Sequence, residues 1–489
     1  MRNVGAGAIF LLAMGAVAVA GFWESEVLVD SGAVAAFDVT ADTAGRIWVA
    51  IAYPDRAVGL YYSDDFGFTW RGHWGIRADS TVRQLQLVEG QGDSSFLYLF
   101  MLLAGNGGDL WLARVRPDSA GYNLMPVAVG EDTVDDFSVT LDRDARYYLY
   151  CLYANEHRTG RTGTFTRSLD YGRSWESGTD WWNAWDPCIS HTTGSTIHCA
   201  WRYALNGEIH YSYNHHYGMS GFWSTYRVVS SGTDPCFDPV VVQTDSSPES
   251  QASLWAFYTV GRRDTATLDL QYSVSWNGGQ DWTPGLPFGD PVRDEQQACL
   301  AADKTGPNGY VSLCYSYGSW RAGDSTSVLW SCANAYNLND WMKPVKVSRH
   351  PVAGLGPRLV YAPHAPLRLP GVLYSQQGEA GPWGVWFAAP WMNAASPAAD
   401  TGAAACWPNP AAATVRISAN APRSGSYKLA VYDAAGRVVA ELFRGRLEAG
   451  PQSWTWDRLS SAGARVPAGT YFVRFVGPGQ VVSCRLVLL

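Results

Sequence analysis

Charge is scarce in this chain. Aspartate, glutamate, lysine and arginine make up 16% of 489 residues, too little for a solvated, disordered polyelectrolyte. Familiar catalytic signatures are missing too. No Cys-x-x-Cys or Cys/His cluster has zinc-site spacing. There is no His-Glu-x-x-His, no Gly-Lys-Ser/Thr phosphate loop and no Gly-x-Ser-x-Gly elbow. No metal and no cofactor is expected. Beyond the first twenty residues no apolar run is long enough to cross a bilayer.

What the chain does have is aromatic mass. It holds 23 Trp and 26 Tyr, and 13% of its residues are aromatic. That composition suits a large all-β protein with aromatic-packed sheets, and the length calls for at least two domains. The formal charge of −8 is uneven. Residues 405–489 carry ten basic and four acidic side chains, a balance of +6, which leaves −14 on the remainder. An acidic main body argues against nucleic acid as a ligand.

Arg2, the apolar stretch Ala8 to Val17 and Ala18-Val19-Ala20 read as a signal peptide over residues 1–20, with an uncleaved anchor as the alternative. The expected location is secreted or cell-surface. Export permits disulfides, and nine cysteines leave at least one unpaired within the chain. Cys151, Cys199 and Cys314 sit inside aromatic strands and suit small buried positions. Cys188 with Cys199, and Cys299 with Cys314, are candidate cross-strand bridges.

Three segments obey one rule, Ser-x-(Asp/Asn)-x-Gly-x-x-Trp. Their defining residues are Ser63, Asp65, Gly67 and Trp70; Ser168, Asp170, Gly172 and Trp175; and Ser275, Asn277, Gly279 and Trp282. The pattern describes a hairpin turn. The Asp or Asn accepts bonds from turn amides, Gly supplies a positive φ, and Trp covers the next strand. Strand-like sets recur from about residues 37, 82, 134, 187, 236, 296 and 357. Seven units of roughly 50 residues match four-stranded propeller blades. Glu26-Val27-Leu28-Val29 is a spare strand placed to close the ring.

The three segments resemble Asp boxes, the BNR repeats of sialidase-like β-propellers. The resemblance implies a propeller over residues 21–395. Seven blades are expected from the spacing, with six as the alternative because sialidases proper have six. In that family the box is a folding element, usually remote from the active site. Residues 396–404, all small, Pro or Gly apart from Asp400 and Thr401, read as a linker. Residues 405–489 alternate short strands and turns, as a small sandwich does. Trp407-Pro408-Asn409-Pro410, Leu429 to Val439, Trp454 to Asp457 and Val466 to Arg474 resemble the Ig-like domain of flagellar hook-capping proteins. They also resemble the type A sorting domains of type IX secretion, which implies secretion or attachment machinery as a partner. Cys406 and Cys484 lie at the two ends of this domain, placed to join its first and last strands.

Sialidases clamp a carboxylate with three arginines and use a Tyr nucleophile paired with Glu. Their first Arg lies in a Phe/Tyr-Arg-Ile-Pro motif, where this chain reads Ala33 to Val39 without Arg. Arg56, Arg358 and Tyr374 fall near positions that the resemblance assigns to the clamp and nucleophile. None is in a diagnostic motif, and a surface Arg or a wall Tyr explains each. The run Asp132, Asp135, Asp136 reads as a solvated acidic loop, with calcium as the alternative. His191, His198, His215 and His216 lack a readable third ligand. The expected function is non-enzymatic binding of glycan or protein on the propeller rim. The aromatic loops Trp181-Trp182-Asn183-Ala184-Trp185 and Tyr317-Gly318-Ser319-Trp320 suggest it, with blade packing as the competing explanation. The alternative function is an exo-sialidase-like glycoside hydrolase.

Overall fold

In the computed structural model the described residues are Trp23 and 26–488, apart from 91–95, 245–251, 304–309, 319–325, 363–369, 378–382, 390–404, 408–414 and gaps of four residues or fewer. The proposed leader and linker lie outside them. The chain divides into two compact units, the first built from Glu26–Pro363 and Leu369–Ala388 and the second including Ala389–Leu489.

The first unit is a seven-bladed β-propeller. Each blade is a four-stranded antiparallel sheet. The innermost strands are Ala36–Ala41, Val82–Glu89, Thr133–Leu141, Ala184–His191, Cys236–Gln243, Glu295–Asp303 and Arg358–Val360, for blades 1 to 7 in order. The second strands of blades 1 and 2, Ile47–Ala52 and Leu97–Leu103, are buried at every position. Such uninterrupted apolar strands are what a sheet covered on both faces requires. The inter-blade cores run continuously from strand to strand. Leu60, Leu85 and Leu99, for example, join blades 1 and 2.

The chain's first strand, Glu26–Ser31, pairs antiparallel with Trp383–Ala388 and forms the outer edge of blade 7. The ring therefore closes by joining the two ends of its own sequence. Because strands alternate direction within a blade, connections between strands 1 and 2 and between 3 and 4 emerge on one face. Connections between 2 and 3, and from each blade to the next, emerge on the other.

The second unit is a sandwich of a three-stranded sheet (Ala405–Trp407, Val415–Ala421, Gly450–Trp456) and a four-stranded sheet ordered Val438–Leu447, Gly425–Asp433, Gly469–Gly477, Gln480–Leu488. Its core holds Ile417, Leu429, Val431, Trp456, Val473 and Leu486, with Tyr427 stacked on Phe475 at 4.8 Å. The Tyr427 and Tyr471 hydroxyls each donate to the carbonyl four residues upstream, at Arg423 and Pro467. Cys484 is disulfide-bonded; the side chain of Cys406 lies outside the described residues.

Cys151, Cys199 and Cys314 are buried as expected, and the two candidate bridges are not formed. Cys188, Cys199, Cys299 and Cys314 are all free. Cys188 pairs with Ala200 and Cys199 with Ile189, and successive residues of a strand point to opposite faces. Cys299 and Cys314 are direct cross-strand partners, but the Cys299 sulfur is turned to the next blade, where it accepts the Leu359 N–H at 3.4 Å.

Candidate functional site

The three box turns share one hydrogen-bond design. Each Ser hydroxyl accepts from the Gly amide (2.7, 2.8 and 2.9 Å at Gly67, Gly172 and Gly279). The same hydroxyl donates to Asp65, Asp170 or Asn277. Asp65 then accepts the amide and hydroxyl of Thr69, and Asp170 those of Ser174. Gly172 has φ +77, and a Cβ there would lie 2.3 Å from Leu112 of the preceding blade, so both conformation and space demand glycine. Each Trp packs edge-on against an aromatic ring of the preceding blade: Trp70 on Phe387, Trp175 on Phe100, Trp282 on Tyr211. Trp223 on Phe165 and Trp341 on Phe257 repeat the contact in blades 4 and 6. All three turns connect strands 3 and 4, so they occupy one face.

A different set of residues lines the central channel. Each inner strand contributes one polar side chain near its start: Asp38, Gln84, Asp136, Asp186, Asp238, Gln297 and Arg358. Together they line a cavity of about 540 Å³, within the size range of small-ligand sites. A smaller cavity of about 190 Å³ continues past Gln84, Gln297 and Arg358. These positions follow the blade-to-blade connections, so the site lies toward the face opposite the boxes. Pairing slips beside five of them: between Val82 and Gln84, Val134 and Asp136, Trp185 and Cys188, Phe237 and Val240, and Gln296 and Cys299. Bulges re-aim side chains out of the ladder. Asp186, Asp238 and Gln297 have φ values of 47, 47 and 57°, a costly conformation for residues with a Cβ and one that gathers at functional sites.

Two carboxylates in the ring are neutralised. Asp186 receives both Nε (2.7 Å) and Nη2 (3.3 Å) of Arg202, whose guanidinium lies 4.4 Å from the Trp185 ring centre. Asp38 lies 3.5 Å from Arg358 and accepts the Leu87 N–H at 2.7 Å. Burial nonetheless pushes Asp38 up, with Arg358 opposing. Asp136 and Asp238 have no such cation. Burial carries Asp136 up to about 7, opposed by the Gln84 amide and reinforced by the charge of Asp186. Burial and Asp186 carry Asp238 up to about 6 against the pull of Arg202.

Behind the ring, the inner strands latch together. Inner strands present amides to the preceding blade, and unpaired edge groups need partners. Side chains supply them. Gln86 accepts the Val139 N–H, Ser138 that of Ile189, Cys188 that of Val241 and Cys299 that of Leu359. Burial raises the Cys188 thiol to about 12, so it serves as a neutral acceptor and not as a nucleophile.

The sequence-predicted site residues are scattered. Arg358 lines the cavity. Arg56 sits in the connection between strands 2 and 3 of blade 1, donates to the Asp79 carbonyl at 3.2 Å and is absent from the described cavity lining. Tyr374 is fully buried in the wall of blade 7 and donates to Glu26 at 2.6 Å. Burial and the Glu26 charge push its phenol well above the usual range. The expected solvated loop at Asp135 and Asp136 is instead part of an inner strand. Asp135 pairs with Arg161 at 3.0 Å, and Asp132 lies outside the described residues. Of the aromatic loops, Trp181 stacks on Trp201 and Trp185 lies between Arg161 and Arg202, so packing accounts for both. Trp182 stays 64% exposed. Ser319 and Trp320 lie outside the described residues. His198 is a buried core residue bonded to Tyr211 at 2.7 Å. Among the described residues no His/Cys/Asp/Glu group could hold a metal ion.

The Asp ring was missed at the sequence level, although a signal existed. Asp136, Asp186 and Asp238 recur at about 50 residues, the blade period itself.

A family model described as the FlgD Ig-like domain matches residues 410–477. No curated protein matches the chain. Among solved structures, the chain resembles the BP39L lectin from Burkholderia pseudomallei, with TM-score 0.52 and 11% identity over 74% of this chain and 99% of that one. An ulvan lyase of polysaccharide lyase family PL25 gives TM-score 0.49 and 12% identity over 74% and 95%. The NanB sialidase from Streptococcus pneumoniae gives 0.41 and 11% over 75% and 71%. At 11% identity the likeness to the lectin is one of fold alone.

Proposed function

We propose that this is a secreted or cell-surface glycan-binding propeller that releases its ligand unchanged. Its C-terminal domain serves in sorting or attachment. One observation carries the reading: seven inner strands aim carboxylate, carboxamide and guanidinium groups into a single cavity. These are the groups that take up the hydroxyls of a sugar. Exposed Trp182, the last residue of the outer strand Thr179–Trp182 of blade 3, adds an aromatic surface on the same face at the rim. A sialoside clamp has little support. Arg358 is the only arginine lining the larger cavity, and it already faces Asp38; Arg83, in the smaller cavity, is engaged with the Val134 carbonyl.

Glycoside hydrolysis is kept as a second reading by one feature. Asp136 and Asp186 share a cavity in unlike environments, one pushed up by burial and the other held by a guanidinium, as acid and base pairs often are. A glycan array probed with the full chain, run beside reducing-end and fluorogenic sialoside assays, separates the two. Binding without turnover is expected. Glycan turnover lost in both Asp136→Asn and Asp186→Asn would favour the hydrolase. An array with no binding at all would remove the glycan reading.

A further inference from the structure

The cavity is short of positive charge. Its lining holds four carboxylates, Asp38, Asp136, Asp186 and Asp238, and one guanidinium, Arg358. Arg358 faces Asp38, and Arg202 occupies both oxygens of Asp186 from behind. What remains is Asp136 and Asp238, on blades 3 and 5, with Asp186 of blade 4 between them in the ring. Asp136 feels Gln84 and the charges of Asp186 and Asp238, and Asp238 feels the charge of Asp186 and, opposing it, that of Arg202. Of two further cations nearby, Arg83 lines the smaller adjoining cavity, donates to the Val134 carbonyl and lies 3.9 Å from Asp135, and Arg161 pairs with Asp135 at 3.0 Å. Two buried carboxyls without a counter-ion are costly in their charged form, and their raised pKa values report that cost.

A cation entering the cavity relieves it. A bare metal ion fits poorly, because among the described residues no group of three or more His, Cys, Asp or Glu side chains is placed to hold one. The carboxyls are instead spread around a space of about 540 Å³, which suits an organic cation with further polar groups. We propose that the cavity selects an amine-bearing saccharide, whose ammonium group lies between Asp136 and Asp238 while its hydroxyls meet Gln84, Gln297 and Arg358. This rests on the glycan-binding reading and narrows it to a charge class. An N-acetylated or neutral sugar offers no charge to the two carboxyls, and a sialoside brings the wrong sign.

The test is calorimetric titration of the full chain at pH 6.5 with a glucosamine trimer and with the N-acetylglucosamine trimer. The glucosamine trimer is expected to bind at least tenfold more tightly. That margin should vanish in Asp136→Asn/Asp238→Asn but persist in Asp55→Asn/Asp64→Asn, which removes two acids outside the described cavity lining. Thermal melts confirm that both variants fold. If the first variant fails to fold, Asp238→Asn alone should cut the margin at least threefold. Equal affinity for the two trimers, or preference for the acetylated one, overturns the inference and leaves the glycan reading standing. A margin unchanged by the cavity substitutions also overturns it, assigning the attraction to the acidic body as a whole. If neither trimer binds and the array is blank, the glycan reading has failed and this inference falls with it.

Discussion

Asp170 and Asp136 belong to the same blade and to opposite faces of it, and they are used in opposite ways. Asp170 closes a turn. Partial burial works against its charge, yet bonds from the hydroxyls of Ser174 and Ser168 and from the Ser174 and Arg173 amides together hold it below the ordinary carboxylate range. Asp136 closes nothing. It is aimed into a cavity, burial outweighs its few bonds, and it is carried up to about 7. A carboxylate whose lone pairs are filled by its own chain is part of the scaffold. One whose charge the fold leaves uncompensated marks a candidate site. The difference separates box face from channel face more cleanly than residue type does.

The largest effect expected on the box side is at Trp175. Its ring is half-buried against Phe100, so Trp175→Ala should cost about 3 kcal/mol, the lower end for a large aromatic. Denaturant unfolding measures it, and a variant of unchanged midpoint would mean that the box contacts carry no stability.

The next effect sets the two faces against each other. Asp170→Ala removes several bonds to a charged acceptor and should lower stability by about 1–3 kcal/mol. Asp136→Asn should raise the melting temperature at pH 8, because it removes a charge the folded state resists. A loss of stability at that pH would show that the Asp136 carboxylate has a partner after all.

The pH dependence follows with opposite signs. Asp170 is depressed in the fold, so its contribution is present above the unfolded value and fades as pH falls through and below that range. Asp136 and Asp238 are raised, so the folded state binds protons that the unfolded state has released. Stability should therefore decline as pH rises through about 6 to 7. Melts of the wild type and of Asp136→Asn/Asp238→Asn between pH 5 and 8 should lie furthest apart at the alkaline end, where the variant is the more stable, and draw together toward the acid end, where only the wild type gains. Parallel curves would show that the channel carboxyls do not titrate in this window.

The smallest effect is expected from removing residues 405–489. The propeller unit holds its own inter-blade cores, so its melting should shift by no more than a few degrees. A collapse would show that the sandwich is part of the propeller's stability.

These two kinds of site differ in how far the sequence reveals them. The boxes are local: Ser63, Asp65, Gly67 and Trp70 act within eight residues, so spacing alone describes them. The blade starts were equally legible, because apolar second strands and turns recur at one period. The channel ring is not local. Asp186 and Asp238 precede Pro while Asp136 precedes Phe137, and Gln84, Gln297 and Arg358 vary the residue type. Bulges break the two-residue alternation at these points, and only ring closure brings them together. The side-chain latches were hidden for the same reason, since Gln86 and Val139 meet only when blade 2 stands beside blade 3. Tyr374 shows the converse. Its position in the last unit suggested a nucleophile, and which way it points depends on the face of the strand, which one residue of register decides.

The pairing of Glu26–Ser31 with Trp383–Ala388 also sets an order of events. The first strand of the ring finds its partner only after more than 340 further residues have been placed, so this contact carries one of the largest loop-closure costs in the propeller. Blade 7 is then expected to be the last completed during folding. Seen that way, the six-residue strand is a latch that times when the channel, and whatever it holds, becomes enclosed.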